Sequence, residues 1–147
     1  MTYKGIWFYG LSGSGKTYIT NQISKKIKNS FIIDGDKVRK LISSDLSYSL
    51  SDRKISNKRA LGLAKITISN KYFPIISSAY LDPKICSKAK KIKIKVIEVV
   101  RKSSEVGKKL KGKKNIVGKS IKQPNLKTKI YINSMKHKKI NLTSLIN

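Results

Sequence analysis

Acidic residues are scarce in this chain: seven Asp and Glu stand against 34 Lys and Arg, a formal charge of +27 over 147 residues. A single cysteine, Cys86, excludes an internal disulfide, and a single histidine, His137, excludes a zinc cluster of Cys and His ligands. No apolar run nears the roughly 18 residues needed to cross a bilayer. The opening MTYKGIWFYG lacks the basic start, long apolar stretch and small-residue cleavage site of a signal peptide. These absences lead us to expect a soluble, cytoplasmic protein with no membrane partner. With 39% hydrophobic residues the chain is too apolar for wholesale disorder, and its length suits a single domain over 1–147.

Lysine is what the chain has in excess, thirty of them against four arginines. Such charge invites a nucleic-acid reading, because counterion release drives that kind of binding. The distribution argues otherwise. Residues 84–147 carry 19 Lys and one Arg against Glu98 and Glu105, spread through every segment, with few aromatics beside them to stack bases. A solvated basic surface fits this spread better than a dedicated nucleic-acid face. Attraction for small polyanions follows either way.

Strand-like and helix-like segments alternate along the chain. GIWFY at 5–9 is a short apolar strand, and Ile19, Ile23 and Ile27 repeat at helical spacing after it. FIID at 31–34 is a second strand, and DKVRKLI reads as a helix with Asp36 as its natural N-cap. SSDLSYSLSDR is polar and loop-like, with a helix expected from about Asn57. FPIISSAYL gives a third strand, Pro83 suits the first turn of a helix, IKVIEVV is a fourth strand and KIYINS a fifth. The alternation predicts a three-layer α/β fold with a mainly parallel five-stranded sheet. The glycine- and lysine-rich run at about 107–124 is expected to be a lid-like loop, and the tail to hold one short helix.

Gly10-Leu11-Ser12-Gly13-Ser14-Gly15-Lys16-Thr17 satisfies G-x-x-x-x-G-K-[ST] in full, after a strand and before an amphipathic helix. Glycines let such a loop curl until its N–H groups face phosphate oxygens, and the following helix adds its positive end. Lys16 would reach the β- and γ-phosphates of ATP, and Thr17 would offer its hydroxyl to Mg²⁺. The motif names a nucleoside triphosphate but no reaction.

Two of the seven acids, Asp34 and Asp36, sit one glycine apart at the end of the second strand. Ligands of open parallel sheets collect beyond the carboxyl ends of the strands, so Asp34 would face the γ-phosphate and its metal. There a carboxylate can hold the Mg²⁺ shell or take a proton from an attacking hydroxyl. Gly35 would let the backbone turn sharply, and Asp36 is read either as a helix cap or as a substrate contact. Three of the four arginines, Arg39, Arg53 and Arg59, fall within 21 residues of one another. In a lysine-saturated chain, arginine is expected where a planar, bidentate grip on an oxyanion is needed. D-R-x-x-x-N at 52–57 would present Arg53 and Asn57 to a second ligand.

GLSGSGKT, DGDKVR, LSYSLSDR, the Asn57/Arg59 pair and LAK at 63–65 resemble the adenylylsulfate kinases, closely over residues 5–83 and more loosely beyond. The resemblance implies transfer of a phosphoryl group from MgATP to the 3′-hydroxyl of adenosine 5′-phosphosulfate, within sulfate activation. It makes Asp34 and Lys16 catalytic, with Thr17 and Asp34 at the metal. Asp36, Arg39, Arg53 and Asn57 would meet the small nucleotide substrate, and Tyr48 would stack on its base where the family usually has phenylalanine.

Three departures from the family stand out. A serine–proline pair is replaced by Asp82-Pro83, the family's arginine-bearing lid element gives way to GKKLKGKK, and the C-terminal helix is curtailed. KNIVG at 114–118 resembles the end of the lid, placing Ile116 where a second base-stacking phenylalanine is usual. The ATP half is thus intact and the acceptor half altered. A kinase of another nucleotide, such as cytidine diphosphoramidate, is the nearest alternative. A basic ATP-binding protein associated with nucleic acid, without kinase activity, stands further off. A homodimer is left open.

Overall fold

The computed structural model describes residues 2–101, 117, 120–133 and 141–146. Most of the expected lid-like loop, Ile116 and His137 lie outside the described residues.

Five parallel strands form the sheet, in the order β2-β3-β1-β4-β5: β1 (Gly5–Tyr9), β2 (Ser30–Asp34), β3 (Phe73–Ser78), β4 (Ile94–Val100) and β5 (Lys129–Ile132). GIWFY is an unbroken apolar run because β1 is central and buried at every position. Alternation along it feeds two cores. Trp7 and Tyr9 pack with Ala60, Leu61 and Ala64 of α3 (Leu50–Ser69) and with Ile85 and Ala89 of α4 (Pro83–Lys91). Ile6 and Phe8 pack on the opposite face against Ile19 and Ile23 of α1 (Lys16–Ser24) and Leu145 of the short α5 (Leu142–Ile146). The expected three-layer α/β architecture results. None of the helices among the described residues is long and apolar enough to cross a membrane.

Three differences from the sequence reading bear on the site. The helix expected from Asn57 begins at Leu50, because the Ser49 hydroxyl accepts the N–H of Asp52 at 3.2 Å and caps it. Ser49 and Asp52 thus supply an S-x-x-D start signal inside a stretch whose polar composition reads as loop. Helix α2 (Gly35–Leu41) is capped by Asp34 instead of Asp36: the Asp34 carboxylate accepts the Asp36 N–H at 3.0 Å, and Asp36 lies in the first turn. The third strand stops at Ser78, leaving Ala79–Asp82 as the loop into α4, where Asp82 caps the helix and Pro83 occupies its first turn.

Candidate active site

A cleft of about 350 Å³ opens at the carboxyl ends of β1, β2 and β3. Its walls include Lys16, Thr17, Asp34, Arg39, Tyr48 and Arg53, so the phosphate motif and the arginine cluster share one cavity.

On one flank lies the phosphate loop. Ser12, Gly13, Gly15, Lys16 and Thr17 line the cleft, while the carbonyls of Gly10 and Leu11 accept the Lys16 ammonium at 2.6 and 3.0 Å. Ser14 is buried, and its hydroxyl has no hydrogen-bond partner among the described residues. Gly15 holds a left-handed backbone, φ 94°, that side-chain-bearing residues rarely adopt. The helix that starts at Lys16 has neither a side-chain cap nor an acid in its first turn. Its N–H groups and dipole are therefore available to an external anion. Burial pushes the Lys16 ammonium down to about 8, and the carboxylates of Asp36 and then Asp34 oppose that fall. Both acids thus act on the cation of the loop.

Asp34 ends β2 facing the cleft, and Asp36 lines it one residue beyond Gly35. A Cβ at position 35 would lie 2.8 Å from the Ser77 carbonyl oxygen. Glycine is needed there for the close approach of α2 to β3, not for the sharp turn expected of it.

The other flank is built from distant pieces. Tyr48 is half exposed, with the Arg39 guanidinium 4.1 Å and that of Arg53 5.4 Å from its ring centroid. Arg39 donates to the Ser47 carbonyl at 2.6 Å and Arg53 Nε to the Tyr48 carbonyl at 3.0 Å. Asp52 accepts the N–H and O–H of Ser47 at 2.8 and 2.6 Å. Arg53 is buried, and its guanidinium is held below its usual range by that burial first and by the like charge of Arg39 second.

Arg59 and Asn57 are both engaged within the chain. Arg59 does not line the cleft. It grips Asp45 with two hydrogen bonds, 2.8 and 3.0 Å, and Ser43 with a third at 3.1 Å, anchoring the far end of the segment that carries Tyr48. Asn57 does line the cleft, but its amide donates to the Tyr80 carbonyl at 3.0 Å and accepts the Asp82 N–H at 2.8 Å. It shapes the cleft wall by holding the loop after β3. Gln123 clamps the same loop from outside, exchanging two hydrogen bonds of 2.9 Å with the Leu81 backbone.

Sequence reasoning passed over Arg101 and Asn133. Arg101 lines the cleft and donates to the Gly13 carbonyl at 3.1 Å, while Asn133 donates to the Ser14 carbonyl at 2.9 Å. Arginine's rarity was a usable signal for the first, since Arg101 is the fourth of four and follows a strand. Nothing local marks Asn133.

The adenylylsulphate kinase family model matches residues 3–104. The chain belongs to the adenylylsulphate kinase family. Among curated relatives, the adenylyl-sulfate kinase of Buchnera aphidicola subsp. Acyrthosiphon pisum is 32% identical over 123 residues, covering 81% of this chain and 51% of that protein. Its counterpart from Buchnera aphidicola subsp. Schizaphis graminum is 37% identical over 76 residues, covering 49% of this chain and 36% of that protein. The chain therefore spans about half, or less, of the length of these relatives. Among solved structures, the Mycobacterium tuberculosis APS kinase in complex with AMPPNP and APS aligns with a TM-score of 0.77 at 18% identity, covering 99% of this chain and 96% of that one. That likeness establishes the P-loop kinase fold.

Proposed function

We propose that this chain, read as a single P-loop kinase domain over 1–147, transfers the γ-phosphoryl group of ATP to the 3′-hydroxyl of adenosine 5′-phosphosulfate. The observation that carries this reading is the shared cleft, with the phosphate loop and Asp34 on one flank and the Arg39–Tyr48–Arg53 cluster on the other. Family membership supports it, as does the solved relative whose complex holds AMPPNP and APS.

In this reading the triphosphate lies along residues 10–17, and Lys16 leaves the Gly10 and Leu11 carbonyls to meet its β- and γ-oxygens. Arg39 and Arg53, two like charges side by side, are relieved by an oxyanion between them, which suits the phosphosulfate end of the acceptor. The acceptor base rests on the exposed Tyr48 ring, and Asp36 and Asn57 complete the substrate wall. Ile116, assigned to the second face of the base by family resemblance, lies outside the described residues. Asp34 orients the 3′-hydroxyl and takes its proton late in a loose transition state.

Magnesium fits the donors present. Thr17 and Asp34 line the same cleft and offer hard oxygen ligands. Among the described residues no three His, Cys, Asp or Glu side chains group tightly enough to hold a metal unaided. Binding therefore depends on the nucleotide's own oxygens, the usual arrangement for Mg²⁺ at phosphates. When bound, the ion would neutralise charge on the triphosphate.

A coupled assay of ADP release tests the proposal, with adenylylsulfate, cytidine diphosphate derivatives and simple nucleotides as acceptors. Turnover selective for adenylylsulfate is expected. Turnover selective for another nucleotide would reassign the acceptor, and ATP binding without transfer to any of them would overturn the kinase reading.

A further inference from the structure

The ends of β4 and β5 send two side chains to the phosphate loop from outside its motif. Arg101 Nη1 donates to the Gly13 carbonyl and Asn133 Nδ2 to the Ser14 carbonyl, at 3.1 and 2.9 Å. The two acceptors are consecutive. The two donors arise from one rung of the sheet, because the Asn133 N–H bonds the carbonyl of Val100, the residue before Arg101, at 2.8 Å. Asn133 also closes on Gly15, where any added Cβ would collide with its amide.

A loop that spends its N–H groups on phosphate leaves backbone carbonyls that need donors of their own. Three glycines in the eight residues from Gly10 to Thr17 make that curl costly to hold. Donors that engage those carbonyls before the ligand arrives remove part of the ordering cost of binding. We infer that Arg101 and Asn133 are positioning residues that brace the phosphate loop in its ligand-binding curl. The brace is outside the phosphate motif, and Asn133 lies beyond the residues matched by the family model. It rests on the reading of this loop as the ATP site, and it acts on the donor flank alone, since neither side chain belongs to the Arg39–Tyr48–Arg53 cluster.

Arg101→Met, Arg101→Lys and Asn133→Ala in the full chain test this. Binding of a fluorescent ATP analogue, KM for ATP and for adenylylsulfate, and the melting temperature are measured together. Losing one such hydrogen bond is expected to weaken ATP binding roughly three- to tenfold in Arg101→Met and Asn133→Ala. KM for adenylylsulfate should stay at its wild-type value, and Arg101→Lys, which keeps a donor, should recover part of the loss. Unchanged ATP binding in both truncations would overturn the brace. So would equal losses on the two substrates with a lowered melting temperature, the mark of general damage. Failure of the wild-type chain to bind the analogue at all would overturn the ATP assignment itself, a result distinguishable before any variant is made.

Discussion

The two flanks of the cleft are made in opposite ways. The donor flank is eight consecutive residues, curled at their own glycines and by the helix they start, with two braces, Arg101 and Asn133, from outside. The acceptor flank is assembled from α2, the segment before α3, the first turns of α3 and the loop after β3. It keeps its form only through cross-links such as Arg39 to Ser47, Arg53 to Tyr48, Asp52 to Ser47 and Asn57 to Tyr80. A contiguous cradle leans on few residues elsewhere in the chain, Arg101 and Asn133 among them. An assembled pocket responds to residues that never touch its ligand.

Removing the cation of the donor flank should have the largest effect. Lys16→Ala is expected to lower kcat roughly a hundred- to a thousandfold, the scale for losing one preorganised electrostatic contact to the transferring group. Steady-state rates of ADP release check this, and near-normal turnover would remove Lys16 from the chemistry. Next, Arg53→Lys keeps the charge but loses the fork and the Nε bond to Tyr48. KM for adenylylsulfate should rise about tenfold while KM for ATP holds. Parallel rises in the two constants would break the division into flanks.

pH probes the donor flank by itself. With the Lys16 ammonium at about 8 in the free site, the lysine is already charged below that value. Above it a triphosphate must recruit the missing proton, so affinity falls, by up to about tenfold per unit. Titration of ATP by calorimetry in EDTA, between pH 7 and 10, should show that decline together with proton uptake. A flat profile would contradict it. The smallest effect belongs to the outer anchor. Arg59→Ala leaves both ligand sites intact but releases Asp45 and Ser43, and a rise of about two- to threefold in KM for adenylylsulfate alone is expected from an exposed pair.

The same contrast explains what could be read from the sequence. GIWFY and IKVIEVV declared their strands because a doubly covered parallel sheet needs continuous apolar runs, and GLSGSGKT declared its loop and helix start because that pattern is local. Asp34 was legible as the carboxylate at a strand end, although its second task, capping α2, was assigned to Asp36. The start of α3 was hidden because Ser49 and Asp52 cap the helix from within a polar stretch that composition alone assigns to a loop. Arg59 shared the rarity of Arg53 yet points to Asp45, since rarity marks a bidentate grip without saying whether a ligand or a carboxylate of the chain receives it. Asn133 was invisible: it reaches Ser14 across 119 positions, a separation that only the β4–β5 pairing closes.

The central claim is that one cleft holds a triphosphate and an anionic nucleotide alcohol at the same time. Calorimetric titration of a non-hydrolysable ATP analogue into the chain saturated with adenylylsulfate tests it most directly. The account predicts one-to-one binding with no displacement of adenylylsulfate, and mutual exclusion of the two ligands would contradict it.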